Sequence, residues 1–120
     1  MASEREVVVL SGVRTAVGKY GGSLKDKPPT ELAATVVREA VDRSGVQPAD
    51  VDHVVFGNVI HTDVHDMYLS RVATVNAGLP VETPAFTLNR LCGHRKRQQP
   101  HVLQPRSHSL LWYLTCTVRR

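Results

Sequence analysis

Apolar residues recur every three or four positions between Thr30 and Gly45, and this period predicts an amphipathic helix. Its apolar positions are Leu32, Ala33, Val36, Val37, Ala40 and Val41. The Thr30 hydroxyl suits a helix N-cap, and Gly45 suits a left-handed residue at the helix end. Pro48 cannot continue the helix, and it favours a short turn that reaches Val51.

Three short apolar runs lack the helical period and predict β-strands. Residues 7–10 are solidly aliphatic, as in a strand that is buried on both faces of a parallel sheet. Residues 53–60 predict the second strand, with Gly57 as a bulge or a place of close backbone approach. Residues 85–91 alternate and predict the third strand.

A second helix is predicted between the last two strands, with Asp66 as its N-cap and Gly78 at its end. Its apolar positions are Tyr68, Leu69, Val72, Ala73, Val75 and Ala77. Pro80 and Pro84 then bound a loop. The order strand, helix, strand, helix, strand (βαβαβ) predicts an α/β fold with a mostly parallel sheet.

Charge divides the chain near Gly93. Residues 1–93 hold nine Lys and Arg against all eleven Asp and Glu, whereas the last 27 residues hold six Lys and Arg and no acid. Prolines interrupt this basic tail, so we expect residues 94–120 to be poorly ordered. Trp112 and Tyr113 could stack on bases, but scattered charges favour a tail that does not bind nucleic acid.

The composition excludes two classes of protein. Two cysteines in 120 residues argue against a disulfide framework, and we find no apolar leader at Met1 and no run long enough to span a bilayer. We therefore expect a cytoplasmic protein without a membrane partner.

Cys92 lies at the carboxyl end of the third predicted strand, where open α/β sheets gather their functional groups. A following helix N-terminus would stabilise a thiolate there, and Gly93 lets a substrate carbonyl approach the backbone. The position suits a nucleophile for acyl transfer. A buried structural cysteine is the alternative interpretation.

Four segments occur in one order along the chain: Val9–Leu24 with its Arg-Thr and Gly-Gly pairs, Gly57-Asn58-Val59, Asn76–Pro80, and Asn89-Arg90-Leu91-Cys92-Gly93. Together they resemble the beginning of the thiolase family, and most of all its bacterial acetyl-CoA acetyltransferase and β-ketothiolase branch. The resemblance continues in register through Gly93.

This resemblance implies an acyltransferase that makes or breaks 3-ketoacyl-CoA, as in fatty acid metabolism. Cys92 is the residue that matches the acylated nucleophile, and acyl-CoA and CoA are the substrates, with no bound cofactor. The family fold has five layers, α-β-α-β-α, and its members are homo-oligomers. The strand that leads to the nucleophile lies at a dimer contact, which implies an interface at residues 85–91.

The resemblance ends after Gly93, where the family continues with Ser-Gly and an Ala-rich helix. The family's second cysteine and its histidine stand in Cys-x-Gly and Gly-His-Pro contexts, which neither Cys116 nor His94 matches. We therefore expect residues 1–93 to be a truncated thiolase N-terminal domain, and residues 94–120 to be a non-homologous tail, of the kind that a frameshift produces. From this we predict little or no catalytic turnover by this chain. The alternative is a non-catalytic fragment that binds a full-length thiolase through its third strand, or binds anions through its tail.

Other chemistry-bearing residues have simpler interpretations. His61, Asp63, His65 and Asp66 include metal-ligand types at alternate positions, but they lack further ligands and favour an exposed loop. Met67 and Tyr68, which follow them, favour packing at a helix start over an acyl pocket. Gly21-Gly22 fits a tight or mobile connection better than a phosphate loop, and Arg14 fits a hydrogen bond at a strand end better than an anion site.

Overall fold

The computed structural model describes residues 8–91, which form a parallel two-stranded sheet with two helices. The helices are α1 (Pro29–Ser44) and α2 (Leu69–Asn76), and the strands are β1 (Val54–Gly57) and β2 (Ala85–Leu88). Short 3-10 turns occupy Pro48–Asp50 and Val64–Tyr68. The strands pair in parallel, from Val54 opposite Ala85 to Gly57 opposite Leu88. The predicted α/β class is confirmed, because α2 connects two parallel neighbouring strands.

The helix α1 buries five of the six apolar positions that its period predicts, and the sixth, Leu32, is half-buried. Its buried apolar residues are Ala33, Ala34, Val36, Val37, Ala40 and Val41. Gly45 ends the helix at φ 70°, in the left-handed region, as expected. The predicted cap is wrong: the helix begins at Pro29, its N-cap Pro28 makes no side-chain cap bond, and Thr30 is buried within the first turn. A proline fits this position because its ring presets φ and it has no N–H to satisfy.

The first predicted strand is absent from the described part of the chain. Val8, Val9 and Leu10 are 57%, 68% and 47% exposed and adopt no strand conformation. A strand needs a neighbouring backbone for its hydrogen bonds, and β1 forms its described ladder with β2. The next residue along, Ser11, donates from its hydroxyl to the Ala40 carbonyl oxygen at 2.8 Å, so this segment is tied to α1.

Both remaining strands are present but are shorter than their apolar runs. Gly57 pairs in register with Leu88, so the bulge proposed for Gly57 is wrong. His53 precedes β1 instead of joining it, and its ring meets Phe86 edge-on with 5.1 Å between centroids. Because only four residues of each strand are paired, the residues that follow lie outside this pairing. They form the loops at the carboxyl ends of the two strands.

The core lies between the helices and one face of the sheet. Its central residues are Val37, Val41, Val54, Phe56, Leu69 and Ala73. Two apolar positions predicted for the second helix do not join it, because Tyr68 is 66% and Val75 is 44% exposed. Tyr68 belongs to the 3-10 turn before α2. A 3-10 turn has three residues per turn, so a position predicted from the α-helical period of 3.6 residues does not face the core there. The predicted end at Gly78 is confirmed, at φ 88°.

Candidate active site

The carboxyl ends of β1 and β2 meet at the same edge of the sheet, because the strands are parallel. Residues 58–68 leave β1 at this edge, and residues 89–91 leave β2 beside them. We call the polar side chains there the carboxyl-edge cluster: Asn58, His61, Thr62, Asp63, Asp66 and Asn89. Chain position thus brings these residues next to the segment that leads to Cys92.

Asp66 is the buried anchor of this cluster, with no exposed surface. Its Oδ2 accepts three hydrogen bonds, from the Thr62 N–H at 2.8 Å, the Thr62 hydroxyl at 2.7 Å and the Asp63 N–H at 3.0 Å. Asp63 is the N-cap of the Val64–Tyr68 turn, and Asp66 is its partner in a capping box. Asp66 was predicted as an N-cap, and this is wrong: it caps the turn from the N3 position, because the chain enters a 3-10 turn three residues earlier.

Asn58 joins this loop to both strands. It is 7% exposed, and its backbone N–H donates to the Leu88 carbonyl oxygen at 3.0 Å, one step beyond the paired register. Its side-chain Nδ2 donates to the Asp66 carbonyl oxygen at 3.1 Å and lies 3.1 Å from Nδ1 of His61. One buried amide therefore fixes the loop against the end of the sheet.

Asn89, the residue that follows β2, also binds the backbone with its side-chain amide. Its Nδ2 donates to the Val59 carbonyl oxygen at 3.2 Å, and its Oδ1 accepts from the Leu91 N–H at 3.4 Å. Leu91 has φ 46°, the one positive φ at a non-glycine residue in the described chain. The sequence analysis placed both asparagines inside predicted strands and gave neither a role at this site. The available signal was Asn itself, a residue type that is depleted in strands.

The proposed nucleophile, Cys92, follows the last described residue, Leu91, along the chain. Cys92 and Gly93 are outside the described residues, as are His94, Cys116 and the whole basic tail. The prediction that Cys92 is the acylated residue is therefore untested by the geometry, and so is the interpretation of residues 94–120.

The proposed metal-ligand types have other partners. His65 donates its N–H to Asp63 Oδ1 at 2.9 Å, and its Nδ1 lies 2.7 Å from the same oxygen. The backbone N–H of His65, followed by its ring, stabilises the ionised carboxylate and lowers the pKa of Asp63 below its ordinary value. Within residues 8–91, no three His, Cys, Asp or Glu side chains are grouped so that they could hold a metal ion.

The structure also shows the surroundings of the other residues named from the sequence, which are Met67, Tyr68, the Gly21-Gly22 pair and Arg14. Met67 is 55% and Tyr68 66% exposed, so the preferred interpretation as helix-start packing is wrong. The Gly21-Gly22 pair makes the expected tight turn, with the Gly22 N–H 2.9 Å from the Lys19 carbonyl oxygen and Gly21 at φ 67°. Arg14 donates to the Thr15 carbonyl oxygen at 3.0 Å. Neither helix of the described part has the length and apolar character that crossing a membrane requires.

Comparisons with known proteins point to one family. The model of the thiolase N-terminal domain matches residues 7–95. The chain is 65% identical over 89 residues to beta-ketothiolase BktB of Cupriavidus necator, and 45% identical over 93 residues to the mitochondrial 3-ketoacyl-CoA thiolase of Bos taurus. These matches cover 74% and 78% of this chain but 23% of each relative.

Solved structures show the same likeness in three dimensions. A crystal structure of human mitochondrial 3-ketoacyl-CoA thiolase matches with a TM-score of 0.70 and 40% identity, over 75% of this chain and 23% of that one. A structure of the human enzyme in complex with CoA matches with a TM-score of 0.64 and 39% identity, over 74% of this chain and 24% of that one. The chain spans about a quarter of the length of these relatives.

Proposed function

This chain belongs to the thiolase family, and we propose that it carries the nucleophile of an acyl-CoA C-acyltransferase at Cys92. The observation that carries the proposal is the match that runs through Asn89-Arg90-Leu91-Cys92-Gly93, directly after β2. Acyl-CoA and CoA would be the substrates, with the reaction in the cytoplasm and no bound cofactor.

The first half-reaction is a thioester exchange. The Cys92 thiolate attacks the carbonyl carbon of acyl-CoA, a new C–S bond forms, and the bond from that carbon to the CoA sulfur breaks. CoA leaves as a thiolate and takes up a proton. The chain position of Cys92, four residues after the end of β2, supports this proposal, because ligands of open α/β sheets bind at the carboxyl ends of the strands.

The second half-reaction requires a base that removes a proton from the α-carbon of another acyl-CoA. The 120 residues contain neither a Cys-x-Gly nor a Gly-His-Pro sequence, the contexts in which we expect the second cysteine and the histidine. We therefore propose that this chain, by itself, is acylated slowly and does not condense two acyl groups.

Incubation with acetyl-CoA followed by intact-mass analysis tests the proposal. The Cys116→Ser variant should gain an acetyl group on Cys92 at about the rate of a free thiol, and the Cys92→Ser variant should gain none there. Acetylation confined to Cys116 in the parent chain would refute Cys92 as nucleophile. Acetylation far above the free-thiol rate, or production of a 3-ketoacyl-CoA, would refute the claim of slow chemistry.

A second candidate is a non-catalytic fragment that binds a full-length thiolase through β2. The strand pairs with β1 as its one described neighbour, and its Phe86 side chain is 48% exposed. An exposed strand edge is a template for further pairing. Co-purification with an intact thiolase would support this candidate, whereas salt-sensitive retention on nucleic acid would favour binding of anions through the tail.

A further inference from the structure

We propose that His61 makes the loop after β1 sensitive to acid, because its neutral ring accepts a hydrogen bond from Asn58 and its protonated ring cannot. We call residues 59–66, which follow Asn58, the carboxyl-edge loop. The proposal rests on contacts among described residues, and Cys92 has no part in it.

The side-chain amide of Asn58 decides which nitrogen of the His61 ring carries the proton. Its Nδ2 donates to the Asp66 carbonyl oxygen at 3.1 Å, and the same Nδ2 lies 3.1 Å from Nδ1 of His61. An amide nitrogen has two hydrogens to donate and accepts none. Nδ1 of His61 is therefore the acceptor, and the neutral ring holds its hydrogen on Nε2.

The Asn58 amide has one favourable orientation. If it were reversed, Oδ1 would face the Asp66 carbonyl oxygen, and two acceptors would meet where a hydrogen bond now exists. Asn58 is 7% exposed, and its backbone N–H is held by the Leu88 carbonyl oxygen, so its side chain has little access to water. The Asp66 carbonyl group thus fixes the amide, and the amide in turn fixes the tautomer of His61.

Protonation of His61 places a second hydrogen on Nδ1, which then faces the N–H of Asn58. The exposed ring turns away into solvent, or the amide reverses and loses the Asp66 carbonyl group. Either response removes one of the two bonds by which Asn58 closes the loop. Opening therefore takes up a proton, so the closed loop is stable at neutral pH and loses stability as the pH falls through the ordinary range of histidine, about 6.5.

Other charged groups near this loop do not provide Nδ1 with an acceptor while the loop is closed. Those on the loop and on the segments around it are Asp63, His65, Asp66, Arg71 and Arg90. Asp63 Oδ1 binds His65, Asp66 Oδ2 binds Thr62 and Asp63, and Arg71 binds the carbonyl oxygens of Val81 and Thr83.

The carboxylates of Asp63 and Asp66 attract a positive ring, and the guanidinium of Arg90 repels it. The attraction is available once the ring has left Asn58, because the amide occupies the acceptor position in the closed loop. It therefore favours the open form in acid. His53, a further histidine of the described chain, precedes β1 and lies against Phe86, at the other end of the strands.

Nuclear magnetic resonance of the full 120-residue chain tests the proposal in two ways. At pH 8 the ring nitrogen shifts of His61 should show Nε2 protonated and Nδ1 free of hydrogen. Hydrogen exchange, corrected for the intrinsic rate at each pH, measures loop opening at the Thr62 and Asp63 amides, which both donate to Asp66. Opening should increase roughly two- to ten-fold from pH 7.5 to pH 5.5, as expected for the loss of one hydrogen bond.

Two variants of the exposed His61 separate the hydrogen bond from the charge. In His61→Asn the side-chain oxygen stands as many bonds from the backbone as Nδ1 and accepts at every pH. Its loop should stay closed at both pH values. His61→Ala has no acceptor, so its loop should open at both pH values as the parent does at pH 5.5. His65→Asn makes the first change at the neighbouring exposed histidine and should keep the pH dependence of the parent.

The Phe56 amide, which donates to Ser70 within the sheet, is the internal reference for general unfolding. Equal acceleration at Phe56 and in the loop would overturn the proposal, because the whole chain would then be opening. So would a hydrogen on Nδ1 at pH 8, equal loop opening at the two pH values in the parent, or a pH dependence that survives in His61→Asn or disappears in His65→Asn.

Discussion

The hydroxyl of Ser70 donates to the Phe86 carbonyl oxygen of β2 at 2.7 Å and accepts from the Phe56 N–H of β1 at 3.0 Å. A helix side chain is thereby bonded to both strands at the middle of their ladder. The Ser70 N–H also donates to the Thr87 hydroxyl at 3.1 Å, which satisfies one of the unpaired donors at the start of α2. Ser70 thus joins the helix to the strand that leads to Cys92.

Ser70→Ala should destabilise the fold by about 1 to 3 kcal/mol, because it removes a fully buried hydroxyl that both donates and accepts. Urea unfolding measures the change. Ser23→Ala, the same substitution at an exposed loop position, is the control and should have little effect. Equal effects of the two substitutions would show that Ser70 does not bind the strands as described.

Asp66→Asn should also destabilise the chain by about 1 to 3 kcal/mol, because the Oδ2 that accepts three hydrogen bonds loses its charge or is replaced by a donor. Hydrogen exchange should show faster opening of the Thr62 and Asp63 amides. Asp26→Asn makes the same chemical change at an exposed site and serves as the reference. Unchanged exchange at both amides would contradict the capping box.

Asp63→Asn should act in a pH-dependent manner. The folded pKa of Asp63 lies below the ordinary value of 3.8, chiefly because the His65 N–H binds the ionised form. Its charge therefore stabilises the fold above pH 3.8, and this contribution is lost as the pH falls through the lower folded pKa. The variant should unfold more easily than the parent at neutral pH, and this difference should shrink in acid. If the difference in unfolding free energy between variant and parent stayed constant from neutral pH to below pH 3.8, the hydrogen bonds assigned to ionised Asp63 would be contradicted.

Gly45→Ala should cost about 1 kcal/mol, because φ 70° disfavours any residue with a Cβ. A Cβ at position 45 would meet no other atom within 4 Å, so the cost is conformational and does not come from a clash. Gly12→Ala is a matched control, since that position is equally open and has no positive φ. Thermal unfolding that ranks Gly12→Ala as the more damaging change would refute this explanation.

Local patterns predicted α1 well, for a clear reason. Its apolar residues repeat at the helical period, and its end is specified by the conformational preference of Gly45, so neighbours along the chain suffice. The composition of residues 7–10 predicts a strand equally strongly, but the described residues of this run, 8–10, are exposed. A strand depends on a partner backbone, which its own residues do not specify.

For the candidate site, too, some features follow from the sequence and others depend on the tertiary structure. The sequence by itself determined the family, the position of Cys92 after a predicted strand and the chemistry expected of a thiol there, because these follow from the identity and order of residues. Only the tertiary structure decided that Asn58 and Asn89 bind the two strand exits, that Asp66 caps from N3 and that Leu91 takes a left-handed turn. These contacts join residues as far as thirty positions apart, and their hydrogen bonds depend on distances that exist only after the chain has folded.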